Sequence, residues 1–377
     1  MSIENLKKQI IENYLKNKNY FNEICLDIFS NPELGLEEVL ASNLFCKILN
    51  ERGFKTQKGI QEFETAFIAE YSIGNGPTIG FIAEYDSLPE LGHACGHNII
   101  GTSSVAAAII LKELMEKEGL EGTIKVIGTP AEENFGSKAN LIEYGIFKDI
   151  DYAMMLHPAD ASMYQDISFA CIHLEYTFKG TPAHSAAAPW KGKSALNGVI
   201  QLFNASNAMR LHLKDHSRLH GIITEGGTVD NIIPEKATAI FNIRALDLKY
   251  LNEIIQMMEE CALGAAQITG TTVEIKQVGN LYKEVKNSKK LENIFKENFT
   301  FIGEDTIERS LTQGIGSTDM GNVTQELEAI HAYIKLDDNA VTHTKEFAKL
   351  CGSEKGLIAL EKSTLILAMS GLDLLIN

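Results

Sequence analysis

The sequence predicts an α/β protein in two parts: a sheet covered by helices, and a smaller α+β domain inserted into it. Two observations carry this. Up to Leu156, apolar runs of strand length alternate with stretches of helical periodicity, the pattern of a sheet covered by helices. From about Phe169 the rhythm changes to β-α-β-β-α-β, the split βαβ plan of a small ferredoxin-like domain. At 377 residues the chain is long enough for both.

The first fifty or so residues read as amphipathic helices, for example Ile10 to Leu15 and Ser42 to Leu49 with apolar residues at helical spacing, and Asn31-Pro32 interrupts them as a turn does. Ala66 to Tyr71 and Thr78 to Tyr85 are apolar runs of strand length, split by Gly74-Asn75-Gly76-Pro77. A helix is expected from Ile99 to Glu118, a strand from Thr123 to Thr129, a short helix from Lys138 to Tyr144 and a strand from Tyr152 to Leu156. In the insertion, strands are expected at Cys171 to Phe178, His220 to Thr224, Lys236 to Arg244 and Thr272 to Val278. Helices at Ser194 to Leu213 and Leu248 to Ile268 separate them. Helix and strand alternation resumes after Leu281. The first domain is therefore expected to span 1–168 and 281–377, with 169–280 inserted. The chain contains no internal repeat or low-complexity tract.

Lys and Arg number 34 against 50 Asp and Glu, a formal charge of −16. Such an acidic surface disfavours nucleic acid and anionic membranes, both polyanions, as partners. The opening Met-Ser-Ile-Glu-Asn-Leu-Lys-Lys lacks a basic stretch leading into an apolar one, so no export signal is expected. The apolar stretch Leu357 to Ile376 is broken by Glu361, Lys362, Ser363 and Asp373, which suits a buried helix better than a membrane span. Cys25, Cys46, Cys95, Cys171, Cys261 and Cys351 form no C-x-x-C pair, and reduced thiols in a cytoplasmic protein are the expectation.

Four segments carry candidate chemistry, each beside a predicted strand or loop. The first is His93-Ala94-Cys95-Gly96-His97. Cysteine and histidine two apart face one point if the backbone is extended, and thiolate and imidazole are natural ligands of zinc and similar ions. The alternative is a buried cysteine beside incidental histidines. In Thr129-Pro130-Ala131-Glu132-Glu133-Asn134 two adjacent carboxylates repel each other unless a cation compensates. One Glu could then hold an ion while its neighbour serves as general base; a solvated acidic turn is the plain alternative. His157 follows an apolar strand in Met154-Met155-Leu156-His157-Pro158, and His343 sits in Thr342-His343-Thr344. Singly, His157 reads as structural, and His343 in isolation carries little meaning. Together Cys95, His97, Glu133, His157 and His343 offer more donors than one tetrahedral site needs, about right for two ions sharing a ligand. Their dispersal along the chain excludes a zinc-finger plan.

Further motifs follow in order: Glu84-Tyr85-Asp86-Ser87-Leu88-Pro89 before the His-Ala-Cys-Gly-His segment, then Gly180-Thr181-Pro182-Ala183-His184-Ser185 in the insertion. Gly227-Thr228-Val229-Asp230-Asn231-Ile232-Ile233-Pro234 and Gly316-Ser317-Thr318-Asp319-Met320 complete the series. The ordered set resembles the two-domain, two-metal amidohydrolases that include aminoacylase, bacterial glutamate carboxypeptidase, aminobenzoyl-glutamate hydrolase and the auxin-conjugate hydrolases. The resemblance implies a phosphorylase/hydrolase-like catalytic domain, with helices covering a mixed sheet, and an inserted domain that dimerises and lids the site. It implies two divalent ions per subunit, zinc, manganese or cobalt, held by Cys95, His97, Glu133, His157 and His343, with Cys95 bridging. Glu132 matches the general base, and Asp86 an acid that orients a ligand histidine. His184 matches a histidine that reaches the substrate carbonyl of the neighbouring subunit in a homodimer. Asn231 and Arg244 match substrate contacts, with a rim salt bridge the alternative for Arg244.

Two positions depart from the pattern. Many relatives carry a ligand histidine where this chain has Glu84, and Glu84 need not be a ligand. This is the pattern of the branch that uses the Cys-Gly-His segment instead, and that branch often has Asp after the second histidine, where this chain has Asn98. With Glu-Tyr-Asp and Ser-Thr-Asp-Met-Gly-Asn, this looks most like the aminoacylase-like dipeptidase sub-branch. The activity implied is hydrolysis of the amide bond in a small dipeptide or aminoacyl conjugate. An N-acyl amino acid deacylase or aminobenzoyl-glutamate-type hydrolase is the rival, and a non-catalytic metal-binding protein a lesser one, since Glu132 and His184 are not needed merely to hold metal.

Overall fold

The computed structural model of the chain describes residues 2–376, and these separate into two compact units. The first comprises residues up to Ile167, Val285–Gly314 and the chain from Asp319 onward. It opens with helices α1 (Ile3–Ser30) and α2 (Val39–Glu51), then strands β1 (Lys55–Ile60), β2 (Phe63–Ile73) and β3 (Thr78–Ala83). Helix α3 (His97–Glu118), β4 (Gly122–Gly128), α4 (Lys138–Glu143) and β5 (Tyr152–Ala159) follow. The second unit, Ser168–Glu284 with Ile315–Thr318, contains β6 (Ala170–Lys179), α5 (Ala195–Met209), β7 (Arg218–Glu225), β8 (Lys236–Ala245), α6 (Leu248–Thr269) and β9 (Thr272–Tyr282). The chain then returns to the first unit with α7 (Lys289–Phe301), α8 (Met320–Thr324), β10 (Glu328–Lys335), α9 (Lys345–Cys351) and α10 (Glu354–Ile376).

In the first unit six strands form one mixed sheet in the order β1-β2-β4-β3-β5-β10. The four strands β4, β3, β5 and β10 run parallel, and β2 and β1 add antiparallel at one side. Strands inside a parallel sheet are covered on both faces, which is why β3 reads as the unbroken apolar run Ile79 to Ala83, buried throughout. Side-chain alternation divides the core. Met154, Leu156, Ile330, Ala332 and Ile334 join α1, α3 and α10 on one face, while Ala153, Met155 and Ala329 meet Leu141, Phe147 and Met320 on the other. Helix α3 is long and apolar enough to cross a membrane by length and composition, but most of it is buried inside this core. That burial explains its apolarity on every face.

The second unit is an antiparallel sheet in the order β7-β8-β6-β9, with α5 and α6 packed against it. Its elements follow the β-α-β-β-α-β order, and each lies within a few residues of the span its apolar pattern predicts. The start of the chain is helical as its apolar spacing predicts, with the break at Asn31-Pro32 between α1 and α2. Helix α1 runs unbroken for 28 residues, capped by the Ser2 hydroxyl, and buries Tyr14, Phe21, Ile24 and Ile28. Strand β1 was not expected: Lys-Thr-Gln-Lys-Gly-Ile is polar because an edge strand leaves half of its residues exposed.

Candidate metal centre

The sheet of the first unit gathers the candidate residues at the carboxyl ends of its parallel strands, where open α/β sheets form their crevice. Glu84 and Asp86 follow β3, Glu132 and Glu133 follow β4, and His157 lies near the end of β5. Strand β10 pairs with β5 so that Tyr333 stands beside His157.

The backbone between Cys95 and His97 is not extended, contrary to the sequence expectation. Gly96 adopts the left-handed conformation (φ +81°) and His97 is the first residue of α3. A strand-to-helix turn, rather than strand alternation, aims the two side chains together. Gly96 also leaves no room for a side chain: a Cβ there would lie 2.8 Å from Pro158 Cγ, beside His157. Gly101, one turn into α3, lets the helix sit against the end of β3, since a Cβ would meet the Glu84 carbonyl oxygen at 2.6 Å.

All five predicted ligand residues converge. Cys95 Sγ lies 3.3 Å from His157 Nε2 and 3.6 Å from His343 Nε2. His343 Nε2 is 3.5 Å from Glu133 Oε2, and His97 Nε2 is 3.9 Å from Glu133 Oε1. Two groups of donors result, Cys95–His97–His157 and Cys95–Glu133–His343, with Cys95 common to both. Ligand atoms bound tetrahedrally about 2.0–2.3 Å from one ion stand roughly 3.3–3.8 Å apart, so these spacings suit a shared cation. His97 Nε2 and Glu133 Oε1 are buried without a hydrogen-bond partner in the chain, a costly state that a cation between them relieves.

Asp86 links two of these segments. Its Oδ1 accepts from His97 Nδ1 at 2.8 Å, which leaves Nε2 facing the cluster, and its Oδ2 accepts from the Glu133 N–H at 3.0 Å. His157 is oriented in the same way, its Nδ1 donating to the Pro158 carbonyl at 2.7 Å. Burial and the neighbouring His331 and His97 push the His157 imidazole down to about 3, which keeps it neutral and able to bind a cation. Burial, reinforced by Glu84 and Glu133, pushes Glu132 well above the usual carboxylate range. Burial and Glu133 also push the Cys95 thiol up. A divalent cation would reverse both, since it favours carboxylate and thiolate. Five carboxylates, those of Glu84, Asp86, Glu132, Glu133 and Asp319, crowd here against the single Lys138 ammonium, so the donor set fits metal cations.

Several neighbours escape sequence reasoning. Lys138, fully buried, reaches Glu84 at 2.6 Å and Asp319 at 2.5 Å. His331 packs its ring 5.8 Å from that of His157 and gives its Nδ1 hydrogen bond to Asp166 at 2.8 Å, while Tyr333 donates to the same carboxylate at 3.1 Å. A signal existed for this pair: His331 and Tyr333 alternate with Ile330, Ala332 and Ile334, which marks a strand with one polar face. His93 points away, its Nε2 bonded to the Ile28 carbonyl at 3.1 Å, and belongs to neither donor group. Asn98 is buried and donates to Cys25 Sγ and the Cys351 carbonyl, a structural tie for α3.

In the second unit, His184 is exposed and its Nδ1 accepts from the N–H groups of Ala186 and Ala187 at 3.2 Å each. That fixes the tautomer with the proton on Nε2, an outward-facing donor. Asn231 is exposed beside it, its carbonyl accepting from Ser185 N–H. Arg244 donates to Asn242 Oδ1 and Ser317 Oγ. Among the described residues no carboxylate pairs with it, contrary to the rim salt bridge considered as its alternative.

Residues 80–360 match the family described as Peptidase family M20/M25/M40. The chain belongs to this family. It is 33% identical to the Xaa-Arg dipeptidase of Mus musculus over 391 residues, covering 99% of this chain and 90% of that one. It is 34% identical to the Homo sapiens Xaa-Arg dipeptidase over 92% of this chain and 84% of that one. A 33% identity to one of the p-aminobenzoyl-glutamate hydrolase chains of Escherichia coli covers 67% of this chain and 56% of that one. Among solved structures, a dinuclear metal binding peptidase of the M20 family from Bacillus subtilis has a TM-score of 0.70 at 20% identity, covering 95% and 99% of the two chains. That likeness extends the family assignment to the fold. As an M20 member with dipeptidase and amidohydrolase relatives, the chain is a hydrolytic enzyme.

Proposed function

We propose that this M20 enzyme is a metal-dependent dipeptidase that hydrolyses the amide bond of a small dipeptide or aminoacyl conjugate. The observation that carries the reading is the pair of donor groups sharing Cys95, with a second glutamate, Glu132, beside them. Cys95, His97, Glu133, His157 and His343 would hold two divalent ions. When bound, such ions polarise a carbonyl and acidify water. Glu132 takes the proton from the attacking water and passes it to the leaving amine, a role that needs its carboxylate near the reaction but not committed as a ligand. Asp86 keeps His97 in one tautomer and one orientation. His184, with its proton on Nε2, donates to the developing oxyanion, and Asn231 and Arg244 contact the substrate. Arg244 has its neutral partners and no carboxylate, the state of a guanidinium that receives a substrate carboxylate.

The kinship with Xaa-Arg dipeptidases favours a dipeptide with a basic C-terminal residue. The 1–168 and 281–377 segments form the catalytic domain in this reading. The 169–280 domain dimerises the protein in the cytoplasm and carries His184 to its partner's site. The ions are zinc, manganese or cobalt. The test is a hydrolysis screen over Xaa-Arg and other dipeptides, N-acyl amino acids and aminobenzoyl-glutamate, on protein reconstituted with each metal. Cleavage of dipeptides that is lost on chelation and restored by metal is expected. Full activity in metal-free protein would end this reading, and preference for N-acyl amino acids would transfer it to the deacylase class.

A further inference from the structure

We propose that Glu84 supplies an additional ligand atom to the metal centre, and that Lys138 is the positioning residue that aims it there. This rests on reading Cys95, His97, Glu133, His157 and His343 as that centre.

Glu84 is 1% exposed and its two oxygens live in different surroundings. Oε1 accepts from Lys138 Nζ at 2.6 Å. Oε2 has no hydrogen-bond partner in the chain and stands 3.5 Å from His97 Nε2, the nitrogen that faces the donor cluster. That separation matches two ligands on one ion, by the same tetrahedral spacing of roughly 3.3–3.8 Å. A buried carboxylate oxygen with no partner is costly to maintain, and an adjacent cation removes the cost.

Lys138 accounts for the orientation. Its ammonium is held from the far side by Asp319 Oδ1 at 2.5 Å, and its own N–H donates to Asp319 Oδ2 at 3.1 Å. The position is thus over-determined, by a side chain and a main chain bonded to one carboxylate. Glu84, Glu132 and Asp319 themselves present oxygens within 4.8 Å of one another, a cluster that could attract an ion. The Lys138 ammonium already stands among them as a built-in cation. The ammonium offsets part of their charge from within, and Glu84 is left with one oxygen for the ammonium and one for the metal centre.

The test loads chelator-stripped protein with Co²⁺ and records both the visible d–d spectrum and the affinity, by competition with a chromophoric chelator. Glu84→Gln is expected to weaken Co²⁺ binding about 10–100-fold and to shift the d–d bands, because a ligand has changed. Lys138→Met is expected to weaken binding in the same direction. The double variant should bind no more weakly than Glu84→Gln alone, since Lys138 acts through Glu84. Should Lys138→Met fail to fold, Asp319→Asn loosens the same ammonium and replaces it in the cycle. An unchanged spectrum and affinity in Glu84→Gln would overturn the ligand assignment. Multiplying effects in the double variant would overturn the positioning role. Wild-type protein that takes up no Co²⁺ would refute the metal centre itself, and is thereby distinguished from a failure of Glu84 alone.

Discussion

Replacing Gly96 with alanine tests whether the turn between Cys95 and His97 sets the geometry of the centre. The residue sits at φ +81°, and forcing a side chain into the left-handed region costs about 1–2 kcal/mol. The added Cβ meets Pro158 Cγ at 2.8 Å, Pro158 Cβ at 3.2 Å and Cys351 Sγ at 3.4 Å. A proline ring cannot swing aside as a flexible chain end does, so overpacking adds about 1–3 kcal/mol. The sum, about 2–5 kcal/mol, is large against the 5–15 kcal/mol or so of a typical protein, yet leaves the chain folded. Gly145 supplies the control. It has a similar φ of +78°, but its Cβ would meet nothing within 4 Å, so Gly145→Ala carries the backbone strain without the clash. Urea unfolding of chelated protein should rank wild type above Gly145→Ala, and Gly145→Ala above Gly96→Ala. Because the clash pushes on the residue beside His157, Gly96→Ala should also lose metal on dialysis where Gly145→Ala retains it. Equal stability of the two variants, with equal metal content, would refute this reasoning.

Three further outcomes are expected. Glu132→Gln should retain metal while turnover falls by about two orders of magnitude or more, whereas Glu133→Gln should weaken metal binding; elemental analysis beside kinetics checks both, and reversed phenotypes would exchange the two roles. Glu38, buried and close to Asp86, has its carboxyl pushed up to about 7, by burial first and by that charge second. A raised folded-state value gives stability that is complete below pH 4.5 and lost as pH rises through 7, a difference of about 3 kcal/mol, so Glu38→Gln should gain on wild type in urea unfolding at pH 8 and not at pH 4.5. Finally, Glu132→Gln and His184→Ala subunits refolded together should recover about a quarter of normal activity, because half the dimers are mixed and half their sites intact. No recovery despite confirmed subunit exchange would place His184 outside its partner's chemistry.

The fold was legible wherever burial imposes a pattern. Strand β3 could be read from Ile79 to Ala83 because both its faces are covered, and the second unit because each strand alternates. Strand β1 could not, since an edge strand with exposed lysines has no apolar signature. Helix α1 was legible even though Lys16, Asn17, Lys18 and Asn19 dilute its middle, because Tyr14 and Phe21 on either side keep the spacing of one buried face. The donor set was legible because cysteine, histidine and paired glutamates are chemically conspicuous at strand ends. Lys138 was not. A lone lysine at the start of a short helix means nothing until the fold brings it to Glu84, 54 positions earlier, and to Asp319, 181 positions later.

The two donor groups that share Cys95 differ in how they are mounted. His97 and His157 stand on the first turn of a core helix and the end of an inner strand. His343 is carried by a loop, with its side chain 53% exposed, a left-handed backbone (φ +63°) and a tether from its N–H to the Ala94 carbonyl at 2.9 Å. Ions held by such unequal mounts would have unequal residence times. The ion on the His343 side would equilibrate with its surroundings quickly, and the other only when the helix start or strand end yields. Depletion would then proceed in two kinetic phases, with a half-loaded intermediate between them. Supply of the labile ion, rather than synthesis of new protein, would set how fast a starved population of molecules returns to work.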